Sequence, residues 1–460
     1  MRGRHDHNPH LYSGATGWRA CMTAMCHADA IGCFYKRVVF IQRAGPVRFV
    51  AMAVQLVLLV AGAWWAPCSA APADQAQPFY GTTFERQPTA AELTELGRRL
   101  FNEPALSASR RMSCASCHSP LHGYGPANAL SVQLGGPDGR QQGLRAVPSL
   151  RYRQATPPFS EHFNDTDGND GIDQGPTGGR TWDGRADSTH EQAALPLLSP
   201  LEMANHDTAQ VVARLAASPS AADFRRTFGP QVLAQPDKAW KGLLWALEVF
   251  QQSPADFYPY SSRYDDFLRG RADLSAAERR GLAVFNDPNK GNCFQCHPGA
   301  IKRGVFPEFT DHGLIALAVP RNRRIAANAD PAFVDLGLCG PLRTDLKDHP
   351  EYCGLFKTPS LRNVAVRQAF FHNGVYHRLE DAVRFYAERD VHPARVYPRG
   401  PAGRVHRFDD LPARYRDNVN TEAPFGRGPH GQARLTEADV KALAAFLRTL
   451  TDADLLAVAH

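Results

Sequence analysis

The chain has 460 residues, of which 43% are hydrophobic and 21% are charged, and its formal net charge is +6. These values exclude a mainly disordered chain, a collagen-like chain and a polytopic membrane protein. A chain of this length usually forms two or three domains.

An apolar run near the N-terminus has the layout of a secretory signal. Residues 49–66 are almost purely apolar, two arginines precede them, and the small residues Ser69, Ala70 and Ala71 follow. Residues 1–71 are therefore predicted to be an N-terminal extension and signal peptide, which places the mature protein in the periplasm. An uncleaved membrane anchor is the alternative, because this run is just long enough to span a bilayer.

Most of the net positive charge lies in this leader. Seven basic and two acidic residues precede residue 72, so the 45 basic and 44 acidic residues that remain nearly cancel. The mature chain therefore gives no indication of nucleic-acid binding.

A helical pattern occurs twice in the mature chain. Thr89-Ala-Ala-Glu92 opens the first copy and Ser275-Ala-Ala-Glu278 opens the second, and each is a capping box. Gly, an aliphatic residue, Phe and Asn follow at matching positions, and each copy leads to a C-x-x-C-H sequence. The pattern predicts a duplicated domain.

Apolar residues at helical spacing predict three later helices. They are Ala239–Gln251, Leu379–Glu388 and a last helix with Thr436 as its N-cap. Residues 253–274 are the predicted connection between domains. Alternating strand patterns are scarce, so the predicted fold class is mainly α with long loops. The Asp/Gly-rich loop 164–179 lacks the glycine at the sixth position of an EF-hand, and we interpret it as a solvated turn.

The attachment sequence of c-type haem occurs twice, as Cys114-Ala-Ser-Cys117-His118 and as Cys293-Phe-Gln-Cys296-His297. Two thiols one short turn apart can bond both vinyl groups of one haem, and the adjacent His118 or His297 then coordinates the iron. A zinc site or a redox dithiol is the alternative for a single copy. Two copies in matching helical context, behind a secretory signal, favour two covalently bound c-type haems.

Two further cysteines, Cys339 and Cys353, lie in the mature chain. They are separated by 14 positions in a segment that contains Pro and Gly. In an oxidising compartment a disulfide between them is the default prediction, and two buried free thiols are the alternative.

The sequence resembles the bacterial di-haem cytochrome c peroxidase and MauG family over about residues 88–452. Besides the haem motifs, the resemblance is carried by Trp182-Asp-Gly-Arg185, Gln192, Pro196, Pro200-Leu-Glu202-Met203, Thr358-Pro-Ser-Leu-Arg-Asn363, His372-Asn-Gly374 and Leu379-Glu-Asp-Ala-Val383. It implies two cytochrome-c-like helical domains whose haems face a shared interface. The N-terminal peroxidatic haem domain is predicted at 72–252 and the C-terminal electron-transfer haem domain at 253–460.

The resemblance also implies roles for four side chains. Glu202 is the expected acid–base residue, Gln192 and Pro196 fall in the distal pocket, and Trp182 carries electrons between the haems. Peroxide bound to iron must lose a proton from one oxygen and gain one on the other, which a carboxylate on the open face can accomplish. The structural alternatives are a helix-start residue for Glu202 and a core aromatic for Trp182.

One departure concerns the N-terminal haem. Classical peroxidases of this family have a distal histidine on this haem, but the equivalent segment 138–145 contains none. His122 is too close to His118 to reach the opposite face, and His162 adjoins the variable loop. We therefore expect an open or water-ligated iron, as in MauG.

A second departure concerns the C-terminal haem, whose sixth ligand in classical members is a methionine. That position here is Tyr386, as in MauG, and the only methionines beyond the leader are Met112 and Met203. Tyr386 is therefore the predicted ligand, with His372 and His377 as competitors and a core aromatic as the structural alternative. An anionic phenolate favours higher oxidation states, whereas a thioether raises the iron potential.

The calcium ion that lies between the haems in this family is doubtful here. Its asparagine ligand is replaced by Ala146, and the two carbonyl-donating positions are Arg367 and Ala369. In MauG a tryptophan two residues before the second haem motif carries electrons from a protein substrate, and Gly291 takes its place.

The leading hypothesis is a periplasmic di-haem c-type peroxidase. It reduces hydrogen peroxide at the His118 haem with electrons that pass through the His297 haem from a small redox protein. One alternative is MauG-like oxidation of Trp or Tyr residues in a partner protein. The other is a non-catalytic electron carrier, which needs axial ligands on both faces of both irons.

Overall fold

The computed structural model describes residues 78–163, 175–400, 402–428 and 431–459. The predicted leader 1–71 and the part of the Asp/Gly-rich loop from 164 to 174 lie outside the described residues. The described residues belong to one compact unit. In the ranges described, no helix has both the length and the apolar character needed to cross a membrane.

Helices supply most of the regular structure. In the described ranges the α-helices are α1 (Ala90–Phe101), α2 (Cys114–Cys117), α3 (Thr189–Leu198), α4 (Thr208–Ala216), α5 (Ala221–Phe228), α6 (Pro236–Phe250), α7 (Pro254–Phe257), α8 (Arg263–Leu268), α9 (Ala276–Asn286), α10 (Leu379–Glu388), α11 (Pro393–Val396) and α12 (Glu437–Arg448). This inventory confirms the predicted mainly α class.

Short elements interrupt the long loops. The 3-10 helices are Phe79–Gly81, Pro104–Leu106, Pro120–His122, Val232–Ala234, Cys293–Gln295, Ala326–Ala329, Pro350–Tyr352, Val364–Val366, Ala413–Asn418 and Ala453–Val458. Two antiparallel pairs of two-residue strands are present: β1 (Leu134–Gly135) with β2 (Gln141–Gln142), and β3 (Leu314–Ile315) with β4 (Phe356–Lys357).

The compact unit contains two main hydrophobic cores. The first core consists of buried residues between Leu93 and Phe257, and helix α1 packs there against α6. The second core consists of buried residues between Tyr264 and Leu450, and helix α9 packs there against α12. The predicted connection 253–274 contains α7 and α8, and it contributes Phe257 to the first core and Tyr264 to the second. The division into an N-terminal domain, 72–252, and a C-terminal domain, 253–460, stays a prediction.

The predicted capping boxes are confirmed at the start of both repeats. The Thr89 hydroxyl accepts from the Glu92 N–H, and the Ser275 hydroxyl accepts from the Glu278 N–H. Each glutamate side chain accepts in return from the N-cap N–H. Thr436 is confirmed as the N-cap of α12, where Asp439 completes a further box. These caps satisfy backbone donors that have no partner inside the helix.

A glycine allows the close crossing in each main helix pair. A Cβ atom at Gly97 of α1 would lie 2.0 Å from the Ala246 carbonyl oxygen in α6. A Cβ atom at Gly281 of α9 would lie 2.0 Å from the Ala442 carbonyl oxygen in α12. The same contact therefore recurs in both cores, just before each haem motif.

We expect Gly281→Ala to destabilise the haem-loaded protein by about 1–3 kcal/mol, because the new methyl group overpacks a backbone contact that cannot give way. The loss outweighs the helix propensity of alanine, which favours the substitution by roughly 1 kcal/mol. Denaturant unfolding followed by circular dichroism measures the change. Ala283→Ser, at an exposed position of the same helix, is the control, and equal midpoints for the two variants would contradict the packing argument.

Candidate active site

The first haem motif forms a short helical turn. Cys114 and Cys117 open and close α2, and His118 follows as its C-cap. The Nδ1 of His118 donates to the Tyr124 carbonyl at 2.9 Å, which directs the other ring nitrogen, Nε2, toward an iron. Burial lowers the pKa of His118 to about 4. The imidazole is therefore neutral at pH 7, as an iron ligand must be.

The second haem motif repeats this arrangement. Cys293 opens a 3-10 turn that leads to Cys296, and the Nδ1 of His297 donates to the Phe309 carbonyl at 2.8 Å. Burial lowers the pKa of His297 to about 4 as well. The two motifs thus present their histidines in the same way, each oriented by a carbonyl from the loop that follows.

Tyr386 lies near the cysteines of the second motif. It is on α10 and lines a cavity of about 250 Å³ together with Cys293, Cys296 and His297. Its ring stacks on Phe425, with ring centroids 5.3 Å apart. Burial raises the pKa of Tyr386.

The competing histidines lie in different surroundings. The His372 ring lines the same cavity but stacks on Phe356 at 3.6 Å. The Nδ1 of His377 contacts the Gln368 carbonyl at 2.8 Å, and its Nε2 lies 3.0 Å from Arg324 Nη1. Both nitrogens of His377 thus have protein partners, which makes it a poor candidate for an iron ligand.

Glu202 lies beside the first haem motif. Burial raises the pKa of the Cys114 and Cys117 thiols, and the negative charge of Glu202 adds to the rise. Glu202 itself is exposed. Burial by neighbouring protein nevertheless raises the pKa of Glu202, against the opposing effects of a Ser199 hydrogen bond and the Arg185 charge.

Strand β1 fixes the backbone of Glu202. The Gly136 N–H donates to the Glu202 carbonyl at 2.8 Å. A Cβ atom at Gly135 would lie 2.1 Å from the Leu201 carbonyl oxygen and 2.8 Å from the Glu202 Cα. A glycine is therefore required at position 135 for Glu202 to occupy its position.

Gln192 and Pro196 lie on α3, which leads to the Glu202 loop. Gln192 is half-buried, and Pro196 is inside the helix. The Met203 N–H donates to the Pro196 carbonyl at 3.0 Å. The proline carbonyl thus connects α3 directly to the residue after Glu202.

Trp182 is held between distant segments. Its Nε1 donates to the Ala146 carbonyl at 2.7 Å, and its own carbonyl accepts from the Lys357 N–H at 2.8 Å. The ring is buried and lines the cavity of the second haem motif. A relay and a core aromatic both fit this position.

A buried charge network next to Trp182 was not predicted. Arg145 Nη1 donates to Asp183 at 2.7 Å, and Arg145 Nε donates to Asp335 at 2.6 Å. The Asp183 side chain is fully buried and is also bonded to Arg185. Only Asp183 and Arg185 belonged to a recognised motif, and no local pattern joins Arg145 to an aspartate 190 positions away.

The cavity also fits the acidic groups of a haem. Arg153 and Lys357 line it. Burial lowers the pKa of both side chains, and the positive charge of nearby Arg180 lowers both pKa values further. In the described part of the chain, Arg153 Nη2 and Arg180 Nε are buried without a hydrogen-bond partner. Haem carries two propionate carboxylates, and Arg153 and Lys357 are the residues that would hold them.

Cys339 and Cys353 are joined by a disulfide, with Cα atoms 5.0 Å apart. They lie in a smaller hydrophobic cluster that includes Leu314 and Leu355. This cluster packs beside the strand pair β3–β4, and the crosslink therefore fastens the long loop that follows His297.

An arginine side chain occupies the neighbourhood of the doubtful calcium position. Arg367 Nη2 donates to the carbonyls of Val147 and Ala369, each at 3.1 Å. Burial lowers the pKa of Arg367 to about 10, so it remains charged at pH 7. Among the described residues, no group of three acidic, His or Cys side chains forms a metal site. That this protein lacks one side-chain ligand for the calcium ion follows from its sequence; that calcium binding is doubtful stays a prediction.

Comparison with known proteins shows the class to which this site belongs. Residues 91–273 match the family described as di-haem cytochrome c peroxidase. The methylamine utilization protein MauG of Paracoccus denitrificans is 35% identical over 82% of this chain and 92% of its own length. The cytochrome c551 peroxidase of Pseudomonas aeruginosa is 30% identical over 66% of this chain and 73% of its own length.

The comparison with solved structures indicates the same class of protein. The diheme peroxidase BthA from Burkholderia thailandensis matches with a TM-score of 0.72 at 38% identity, over 83% of this chain and 91% of that one. The chain belongs to the di-haem cytochrome c peroxidase and MauG family. It is therefore an oxidoreductase with two covalently bound c-type haems.

We expect Arg153→Met to lower the reduction potential of the His297 haem, because Arg153 lines the cavity that contains His297. At an effective dielectric constant near 20, loss of one nearby unit charge costs on the order of 1 kcal/mol, roughly 50 mV for one electron. A spectroscopic redox titration measures it. Exposed Arg140→Met is the control, and an unchanged potential in Arg153→Met would show that this charge does not act on the haem.

Proposed function

We propose that the protein is a periplasmic di-haem peroxidase that reduces hydrogen peroxide to water at the His118 haem. Electrons reach that site through the His297 haem from a small redox protein. The periplasmic location rests on the signal-like leader, on covalent haem attachment and on the Cys339–Cys353 disulfide.

The observation that carries the proposal is the different chemistry beside the two haem motifs. Glu202, a carboxyl group with a raised pKa, lies beside Cys114 and Cys117. Tyr386, a phenol, lies beside Cys293 and Cys296. A peroxidase of this kind needs a proton-transferring group at one haem and an axial ligand at the other. Glu202 and Tyr386 are the residues that can supply them.

In this proposal Glu202 moves the proton that peroxide cleavage requires. A bound haem supplies the iron that coordinates peroxide and the electrons that reduce it. With a haem held at His118, a carboxylate oxygen of Glu202 would accept the proton from one peroxide oxygen and deliver it to the other, so that water can form. The raised pKa suits both halves of this transfer, because the carboxyl group must release the proton as well as accept it.

Trp182 is the proposed electron relay between the haems. Its ring is fixed by the hydrogen bond from Nε1 to the Ala146 carbonyl, and it lines the cavity that contains the second haem motif. A rigid aromatic ring at this place shortens the path for electrons between the two halves of the protein. Gln192 and Pro196 support the distal side by positioning the loop that carries Glu202.

Oxidation of a partner protein is the second candidate. The 35% identity to MauG over most of both chains favours it, as does the tyrosine near the second haem motif. Gly291 opposes transfer by the route that the resemblance implies for MauG. A Cβ atom there would lie 2.4 Å from the Val284 carbonyl oxygen, so an aromatic residue could not replace this glycine without local rearrangement.

Glu202→Gln tests the proposed reaction. We expect the rate of the haem-loaded protein with peroxide to fall by about 10²–10⁴-fold, since the amide cannot accept the proton. Stopped-flow absorbance of the haem bands after mixing with peroxide gives the rate. Glu95→Gln, at an exposed position on α1, is the control. Equal rates in wild type and Glu202→Gln would remove Glu202 from the mechanism, and no reaction in wild type would favour the electron carrier.

Tyr386→Met tests the ligand at the other haem. A thioether stabilises the reduced iron relative to a phenolate, so we expect the reduction potential of the His297 haem to rise. Redox titration with optical and EPR detection measures the shift. Tyr376→Phe, at another half-buried tyrosine near the second core, is the control. A wild-type haem that already has a high potential would exclude phenolate ligation.

A further inference from the structure

A tyrosine at the protein surface is hydrogen-bonded to a buried carboxylate. Tyr80 lies in the 3-10 turn Phe79–Gly81 and is 66% exposed. Its hydroxyl donates to Glu248 Oε2 at 2.9 Å. Glu248 is on α6 and only 5% exposed. The ring therefore faces solvent, whereas the hydroxyl proton points to an acceptor inside the protein.

A buried histidine contacts the same carboxylate oxygen. His190 Nδ1 lies 3.1 Å from Glu248 Oε2 and 3.4 Å from the Tyr80 hydroxyl oxygen. The His190 ring stacks on Phe79 at 3.6 Å and meets the Tyr80 ring edge-on at 5.5 Å. We call Tyr80, Glu248 and His190 the tyrosine triad. Its carboxylate is fixed in place, so a proton can pass to it from the phenol without rearrangement.

This geometry suits coupled loss of an electron and a proton from Tyr80. Burial and the neighbouring Glu248 raise the pKa of Tyr80 to about 12, so the phenol is protonated at neutral pH. The electron cannot leave readily unless the proton leaves with it, and Glu248 Oε2, at 2.9 Å, is a nearer acceptor than His190 Nδ1, at 3.4 Å.

Other tyrosines of the described chain show what is particular about Tyr80. The hydroxyls of Tyr124 and Tyr152 also donate to carboxylates, those of Asp256 and Asp452. Their rings are only 3% and 1% exposed. A donor in solution could not contact them, whereas it could contact Tyr80 directly.

The tyrosine triad is connected to the wall of the haem cavity. Arg180 interacts electrostatically with both Tyr80 and Glu248. It is two residues before Trp182, which lines the cavity, and its Nη1 donates to the Arg153 carbonyl at 3.1 Å. His190 lies on α3, the helix that also carries Gln192 and Pro196.

We propose that Tyr80 is a redox-active residue through which a one-electron donor at the surface can reduce the peroxide-oxidised haem centre, as a second entry for electrons beside the route through the His297 haem. This proposal rests on the proposed peroxidase function. Tyr80 gives one electron to the oxidised centre and its hydroxyl proton to Glu248 Oε2, which leaves a neutral tyrosyl radical. The external donor returns one electron to the ring and Glu248 returns the proton. Two such cycles supply the two electrons that convert peroxide and two protons to two waters.

The test uses the haem-loaded full chain mixed with one equivalent of hydrogen peroxide and frozen rapidly. Optical spectra report whether the haems have been oxidised, and EPR of the same samples reports tyrosyl radical. Tyrosine with a deuterated ring identifies the signal. The variants are Tyr80→Phe and Glu248→Gln, and the matched control is Tyr258→Phe, whose hydroxyl donates to a backbone carbonyl instead of a carboxylate.

We expect a tyrosyl signal in wild type and in Tyr258→Phe, and its loss in Tyr80→Phe and in Glu248→Gln. We also expect the peroxide-dependent oxidation of the dye ABTS, used as a one-electron donor, to slow in Tyr80→Phe but not in Tyr258→Phe. A merely structural role for Tyr80 would leave the radical signal unchanged. Oxidised haems with no tyrosyl signal, or with a signal that persists in Tyr80→Phe, would overturn this inference and leave the peroxidase proposal standing. Haem bands that do not respond to peroxide in wild type would overturn both.

Discussion

Two close helix crossings determine where the chemistry of this protein can be placed. At each crossing a glycine of one helix lies directly on a carbonyl oxygen of another, Gly97 on Ala246 and Gly281 on Ala442. Helices α1 and α9 each end shortly before a pair of haem-attachment cysteines, so the crossing sets the position of the thiols relative to the core. The following loop then supplies a carbonyl that orients the histidine, Tyr124 in one half and Phe309 in the other. Much of the rest of the fold closes around these two attachment points.

The two attachment points are alike, and the residues that approach them differ. On one side β1 and α3 position a loop whose carboxyl group can carry a proton. On the other side α10 brings a tyrosine toward the second pair of cysteines. The duplicated framework thus accounts for two haems, whereas the unequal loops are the basis of the two different roles proposed for them.

Local sequence patterns predicted the parts that depend on near neighbours. Thr89, Ser275 and Thr436 are caps because each has an acidic residue three positions later, and the structure confirms all three. Tyr386 was predicted as a ligand because its place on a predicted helix matched a family position; the structure places it on that helix and at the cavity of the second haem motif, and its role as a ligand stays a prediction. The predicted helix 239–251 begins three residues earlier in the structure, at Pro236, because proline is well suited to a first helical turn.

Contacts between distant segments could not be predicted in the same way. Arg145 and Asp335 lie 190 positions apart, and Tyr80 and Glu248 lie 168 apart. Neither pair leaves a periodic signal, since only the tertiary fold brings the charges together. The two-residue strands were missed for another reason, because alternation cannot be recognised over so short a stretch.

The Arg367 guanidinium donates to one carbonyl beside the first haem loop, that of Val147, and to another on the second side, that of Ala369. A metal ion that joins two halves of a protein is lost when its free concentration falls below its dissociation constant. An arginine is part of the polypeptide and has no such dependence. This connection between the halves is therefore made once, when the chain folds, and it is insensitive to dilution and to chelating agents.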